Sequence, residues 1–69
     1  MDEQTDKDIR SLLKTFGIQA DEMIHDYLAK NPHIKALNLR ITLEDLTDYG
    51  EHGPQEALSI QINGQVRQG

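Results

Sequence analysis

The chain has no cysteine and no tryptophan, and its aromatic content is one phenylalanine and two tyrosines in 69 residues. Without cysteine it has no disulfide, no thiolate metal site and no cysteine nucleophile, and nothing in it calls for an oxidising compartment. No apolar run approaches the ~20 residues that a membrane-spanning helix needs, and no lipidation signal is present. The first residues, Met1-Asp2-Glu3-Gln4-Thr5-Asp6, are acidic and polar where a secretory leader is basic and then apolar. These absences set the expectation of a cytoplasmic protein that does not engage a membrane. Basic residues are also scarce: seven Lys and Arg stand against twelve Asp and Glu, for a net charge of −5. They are spread along the chain without a cluster, which argues against nucleic acid as a partner. The acidic excess reads as a device for solubility.

Two stretches of clean alternation stand out. Leu37-Asn38-Leu39-Arg40-Ile41-Thr42-Leu43-Glu44 and Leu58-Ser59-Ile60-Gln61-Ile62-Asn63-Gly64-Gln65-Val66 each place apolar residues at every second position. That period marks a β-strand with one face toward a core. Strand one is expected from about Lys35 to Glu44 and strand two from about Ala57 to Gln65, with a bulge or edge break at Gly64. No third strand is evident, so both outer edges of the sheet carry unpaired N–H and C=O groups. Strand one has the longer clean alternation and is the better edge for a partner.

The first half has helical periodicity. Residues 1–4 read as a frayed tail and Thr5 as an N-cap, followed by Asp6 and Asp8 at the positive end of the helix dipole. Ile9, Leu12, Leu13 and Phe16 fall at i, i+3, i+4 and i+7, one face of a helix. Gly17 is expected to stop it in a left-handed C-terminal conformation. A second helix then starts near Gln19 or Ala20, with a stripe of Met23, Ile24, Tyr27 and Leu28, and Asn31-Pro32 ends it. The apolar set for a core is these two stripes with Ile18, Ile34, Leu37, Leu39, Ile41, Leu43, Leu46, Leu58, Ile60, Ile62 and Val66.

The connection at 45–56 and its approaches gather carboxylates and a histidine: Glu44, Asp45, Asp48, Glu51, His52 and Glu56. Asp45, Asp48, Glu51 and His52 are the candidates for a hard cation. They lack the D-x-D-x-D-G order, however, and one histidine among carboxylates is no zinc motif, so no metal or other cofactor is assigned. His25, His33 and His52 fall on separate segments, and no nucleophile motif accompanies them. The short-loop helix pair invites comparison with DNA-reading helices, but Asp21, Glu22 and Asp26 would face the phosphates. Tyr49 either folds back over the sheet end or anchors an interface.

These observations lead to an α+β fold in one small domain, 1–69, in the order α-α-β-β. A helical hairpin over 5–31 packs on one face of a two-stranded antiparallel sheet formed by a β-hairpin over 35–66. A chain this small without disulfide or metal is commonly stabilised by oligomerisation, so the sheet is expected to continue across a homodimer or to meet another protein. The leading function is a non-catalytic interaction or regulatory module acting through a β-edge or a helix face. Asn38, Arg40 and Thr42 would be displayed on the outer side, with Tyr49 as a further contact. The alternatives are a dimeric enzyme or ligand-binding protein using the loop at 45–52, and an acidic mimic of nucleic acid.

Overall fold

A computed structural model describes residues 2–68. The elements are one helix, α1 (Glu3–Lys30), and two strands, β1 (Ala36–Glu44) and β2 (Ser59–Arg67). The chain divides into two compact units, one up to Ile34 and one from Lys35 onward.

The expected pair of helices is corrected to a single helix of 28 residues, about 42 Å long at 1.5 Å per residue. The α+β class stands, but the helical hairpin over 5–31 does not, because Gly17 does not end the helix. Glycine in a helix interior costs only about 1 kcal/mol relative to alanine. Against that cost stand good helix formers on both sides, Leu12, Leu13 and Lys14 before it and Gln19, Ala20, Glu22 and Met23 after it, with no proline until Pro32. The two apolar stripes also share one phase, since Phe16, Ala20, Met23 and Tyr27 follow at i, i+4, i+7 and i+11. Breaking the helix at Gly17 would throw these half-stripes out of line. Among the described residues the only glycine with positive φ is Gly50, so Gly17 does not take the left-handed conformation of a terminator.

The start of α1 also differs from expectation. Asp2, extended at φ −79° and ψ 168°, is the N-cap, and its Oδ1 accepts from the Thr5 N–H at 2.8 Å and the Thr5 hydroxyl at 2.9 Å. Thr5 thus takes part in the cap as the donor. These bonds from Thr5 lower the Asp2 carboxyl below its ordinary value. Of the tail expected over 1–4, Glu3 and Gln4 are helical, and Met1 lies outside the described residues. At the other end the Asn31 N–H donates to the Leu28 carbonyl at 3.1 Å and the Asn31 side chain to the Tyr27 carbonyl at 2.7 Å. Two carbonyls of the last turn are thereby satisfied, and Pro32 cannot continue the ladder.

β1 and β2 form a two-stranded antiparallel sheet whose register runs without interruption from Ala36↔Arg67 to Glu44↔Ser59. Gly64 is paired with Leu39 within this ladder, so the expected bulge or edge break is absent. The pairing brings Leu37, Leu39, Ile41 and Leu43 onto one face with Val66, Ile62 and Ile60, and Asn38, Arg40, Thr42 and Glu44 onto the other with Gln65, Asn63, Gln61 and Ser59. One further hydrogen bond extends the ladder at each end, Asp45 N–H to the Leu58 carbonyl at 3.1 Å and Gln68 N–H to the Lys35 carbonyl at 2.9 Å.

Burial departs most from expectation. Among the described residues the apolar core is one side chain, Leu28, at 8% exposure. Ile24, Ile34, Leu37, Leu39 and Val66 are half-buried, while Leu46 and Leu58, read as core, are exposed. A helix stripe or a sheet face is buried only where a second layer lies on it. Periodicity in the sequence marks the face without marking its cover.

The glycine inside α1 supplies a direct check. A Cβ at Gly17 would meet nothing within 4 Å, so Gly17→Ala should stabilise the helix by about 1 kcal/mol, read as a higher thermal midpoint by circular dichroism. A left-handed terminator at this position would give the opposite sign.

Candidate functional site

Three surfaces carry side chains that could meet a ligand or a partner: the polar face of the hairpin, the loop between its strands, and the uncovered apolar faces.

On the polar face, Asn38 stands directly opposite Gln65 and Arg40 directly opposite Asn63. The Gln65 amide donates to Asn38 Oδ1 at 3.1 Å, Arg40 Nε donates to Asn63 Oδ1 at 3.0 Å, and Arg67 Nε reaches Gln65 Oε1 at 3.3 Å. The alternation that points Asn38, Arg40 and Thr42 to one side of β1 therefore brings them together, with Thr42 opposite Gln61. An open depression of about 520 Å³ is lined by Asn38, Leu39, Arg40, Asn63, Gly64 and Gln65. Its polar side chains are three amides and one guanidinium, beside Leu39 and the bare backbone of Gly64; they donate and accept hydrogen bonds but supply no nucleophile and no general base. The contribution of β2, from Asn63 and Gln65, is not singled out by the sequence; the register that pairs them with β1 is the missing information.

Tyr49 does not join this group. Its hydroxyl donates to Asp45 Oδ2 at 2.5 Å, while Asp45 Oδ1 accepts the Thr47 N–H at 2.9 Å. Asp45 sits just past β1, and its carboxylate holds Thr47 and Tyr49 close to it in a turn. The hydrogen bonds from Thr47 and Tyr49 lower the Asp45 carboxyl below its ordinary value of 3.8, and donation to Asp45 raises the Tyr49 hydroxyl. The turn continues with the Gly50 N–H donating to Asp48 Oδ1 at 2.9 Å. Gly50 has φ 65°, the left-handed region where a side chain is strained.

Asp45 and Asp48 therefore turn their carboxylates to their own loop. Among the described residues no three His, Asp or Glu side chains converge as a metal site, so Asp45, Asp48, Glu51 and His52 do not come together as a cation-binding group. His25 is occupied locally on α1, its Nδ1 lying 2.8 Å from the Asp21 carbonyl oxygen and 3.5 Å from Asp21 Oδ1.

The apolar surfaces are the third feature. On α1, Ile9, Leu12, Leu13, Phe16, Met23 and Tyr27 are all exposed, Phe16 at 48% and Met23 at 72%. On the hairpin, Ile41, Leu43, Ile60 and Ile62 are exposed, Ile62 at 58%. Exposed apolar side chains of this kind are candidates for association where they form a contiguous patch. Among the described residues no helix is long and apolar enough to cross a membrane. No protein-family model, no curated protein and no solved structure matches the chain.

The Asp45 arrangement has a defined pH signature. Because its carboxyl is lowered in the fold, the ordering it gives the loop is fully present above 3.8 and is lost as pH falls through the lower native value. An amide titration of Thr47 should show a midpoint below 3.8; a midpoint at or above that value contradicts the assignment. Asp45→Ala should remove the transition and speed amide exchange at Thr47, leaving the β1 and β2 cross-strand contacts in place.

Proposed function

We propose that this protein is a non-catalytic interaction module that assembles with a second copy of itself and acts in the cytoplasm. The observation that carries the reading is the incomplete burial of its apolar faces: Leu28 is the one buried apolar side chain among the described residues. A chain of this size without disulfide or metal needs a further layer to bury those faces, and a second copy supplies one with the same chemistry. Two kinds of surface are available. One is the apolar stripe of α1. The other is the edge of the two-stranded sheet, where β1 or β2 can pair with another strand.

The polar face of the hairpin supports the non-catalytic part of the reading. Asn38, Arg40, Asn63 and Gln65 bond to one another across the strands, and amides with a guanidinium suit recognition of polar groups better than acid–base chemistry. Thr42 extends this row. The loop at 45–52 is a weaker candidate for a ligand site, because Asp45 and Asp48 are engaged by Thr47, Tyr49 and Gly50.

Sedimentation velocity over a range of concentrations tests the assembly. The expected result is a dimer that dissociates on dilution. A protein that stays monomeric and still unfolds cooperatively at micromolar concentration would overturn the proposal.

A further inference from the structure

We infer that two copies meet along α1 with their helices antiparallel, Asp6 of each against Lys30 of the other. The inference rests on the self-assembly reading above and adds its surface, orientation and register.

The seam is visible in the spacing. From Asp6 to Lys30 the steps alternate three and four residues through Ile9, Leu13, Phe16, Ala20, Met23 and Tyr27. This is the spacing of the heptad seam of paired helices, with three pairs of apolar positions from Ile9 to Tyr27 and a charged residue in step at each end. Six apolar positions lie inside it, and the two ends carry opposite charges. The continuity of α1 through Gly17 makes it a single seam, because a break there would leave two stubs too short to pair.

Orientation follows from what each arrangement brings face to face. In a parallel pair every seam residue meets its own copy, so Asp6 would face Asp6 and Lys30 would face Lys30, with Phe16 against Phe16 and Ala20 against Ala20. In an antiparallel pair centred between Phe16 and Ala20, each Phe16 meets an Ala20, each Leu13 a Met23, each Ile9 a Tyr27 and each Asp6 a Lys30. Large side chains meet small ones at the centre, and both ends close with opposite charges. The twofold axis makes each contact twice, and antiparallel helix dipoles add to the preference.

The surface of α1 is consistent with this. The seam residues Ile9, Leu13, Phe16, Met23 and Tyr27 are exposed, so the stripe is open for most of its length. Leu28, the buried residue, lies about 100° around the helix from Tyr27 and does not occupy the seam. Among the described residues neither the Asp6 carboxylate nor the Lys30 ammonium has an ion-pair partner.

Charge reversal tests orientation and register, read as the dimer dissociation constant by sedimentation equilibrium at low salt. Asp6→Lys and Lys30→Asp should each raise it about tenfold, since each replaces two attractive contacts with two repulsive ones. The double variant D6K/K30D should return to within about threefold of the parent. If the single variants acted only by weakening their own helix ends, the double would be worse than either, which would overturn the inference. Single variants that dimerise like the parent would also overturn it while leaving self-assembly intact, whereas the absence of any dimer would overturn the proposed function itself.

Disulfide trapping gives a second measurement with the charges untouched, because the parent has no cysteine. Oxidised mixtures of Leu13→Cys and Met23→Cys chains should give the mixed disulfide in preference to either homodimer. Leu13→Cys linking efficiently to itself would show parallel helices. A dimer that forms neither bond would show assembly through another surface. Either result overturns the inference.

Discussion

An amphipathic element can satisfy its backbone on its own, but it cannot hide its apolar face on its own. Both units of this chain are in that position. In α1 and in the β1–β2 hairpin, hydrogen bonding is arranged locally: Asp2 and Asn31 close the ends of the helix, and an unbroken ladder joins the strands. What remains is apolar surface, on a helix stripe from Ile9 to Tyr27 and on the Leu37 to Leu43 side of the sheet. Hydrogen bonds in an exposed element contribute little net stability because water competes for the same groups. Burial of Phe16, Met23, Ile41 and Ile62 would stabilise the chain far more, and it requires a second layer. Self-assembly is the proposal that meets this constraint with the material the chain itself provides.

The polar features are organised at shorter range. On the outer side of the hairpin, opposed pairs tie β1 to β2: Arg40 to Asn63 and Asn38 to Gln65. Such cross-strand pairs, of which three are apolar–apolar on the other side at Leu37↔Val66, Ile41↔Ile62 and Leu43↔Ile60, are the unit of sheet stabilisation. They also fix the register, because a slip of one residue would exchange the apolar and polar faces. In the loop, one carboxylate performs the equivalent task. Asp45 gathers Thr47 and Tyr49, and the acidity concentrated there is used for loop geometry before it is available to any ligand.

How much of this is legible in the sequence differs by element. The strands are, to within two residues at each end, because period two is carried by eight or more consecutive residues of Leu37–Glu44 and Leu58–Val66. That same alternation places Asn38, Arg40 and Thr42 on one face. Gly64 reads as a break because glycine disfavours strands intrinsically, whereas the pairs on both sides of it hold the ladder through the position. Gly17 reads as a stop for a related reason: a local signal competes with the phase of the stripe from Phe16 to Tyr27, and the stripe wins. The capping bond between Asp2 and Thr5 falls near the expected place, with Asp2 rather than Thr5 as the cap. Tyr49 and Asp45 cannot be paired from spacing alone, since i to i+4 contact is expected in a helix and not in a loop. The core is the largest departure. Periodicity reports that a face is apolar, and says nothing about whether another layer lies on it.

The Asp45 turn has a consequence for how the hairpin forms. Joining Glu44 to Ser59 means closing a chain segment far longer than the two to five residues usual between paired strands, and the entropic cost of closure rises with the logarithm of the free length. Once Thr47 and Tyr49 are drawn back to Asp45 and the His52 N–H donates to the Tyr49 carbonyl, the segment without such ties begins after Gly53. The logarithm also means that residues added beyond that point, between Pro54 and Ala57, would cost little. The stretch from 54 to 57 is therefore where this chain can change length during evolution without disturbing its sheet.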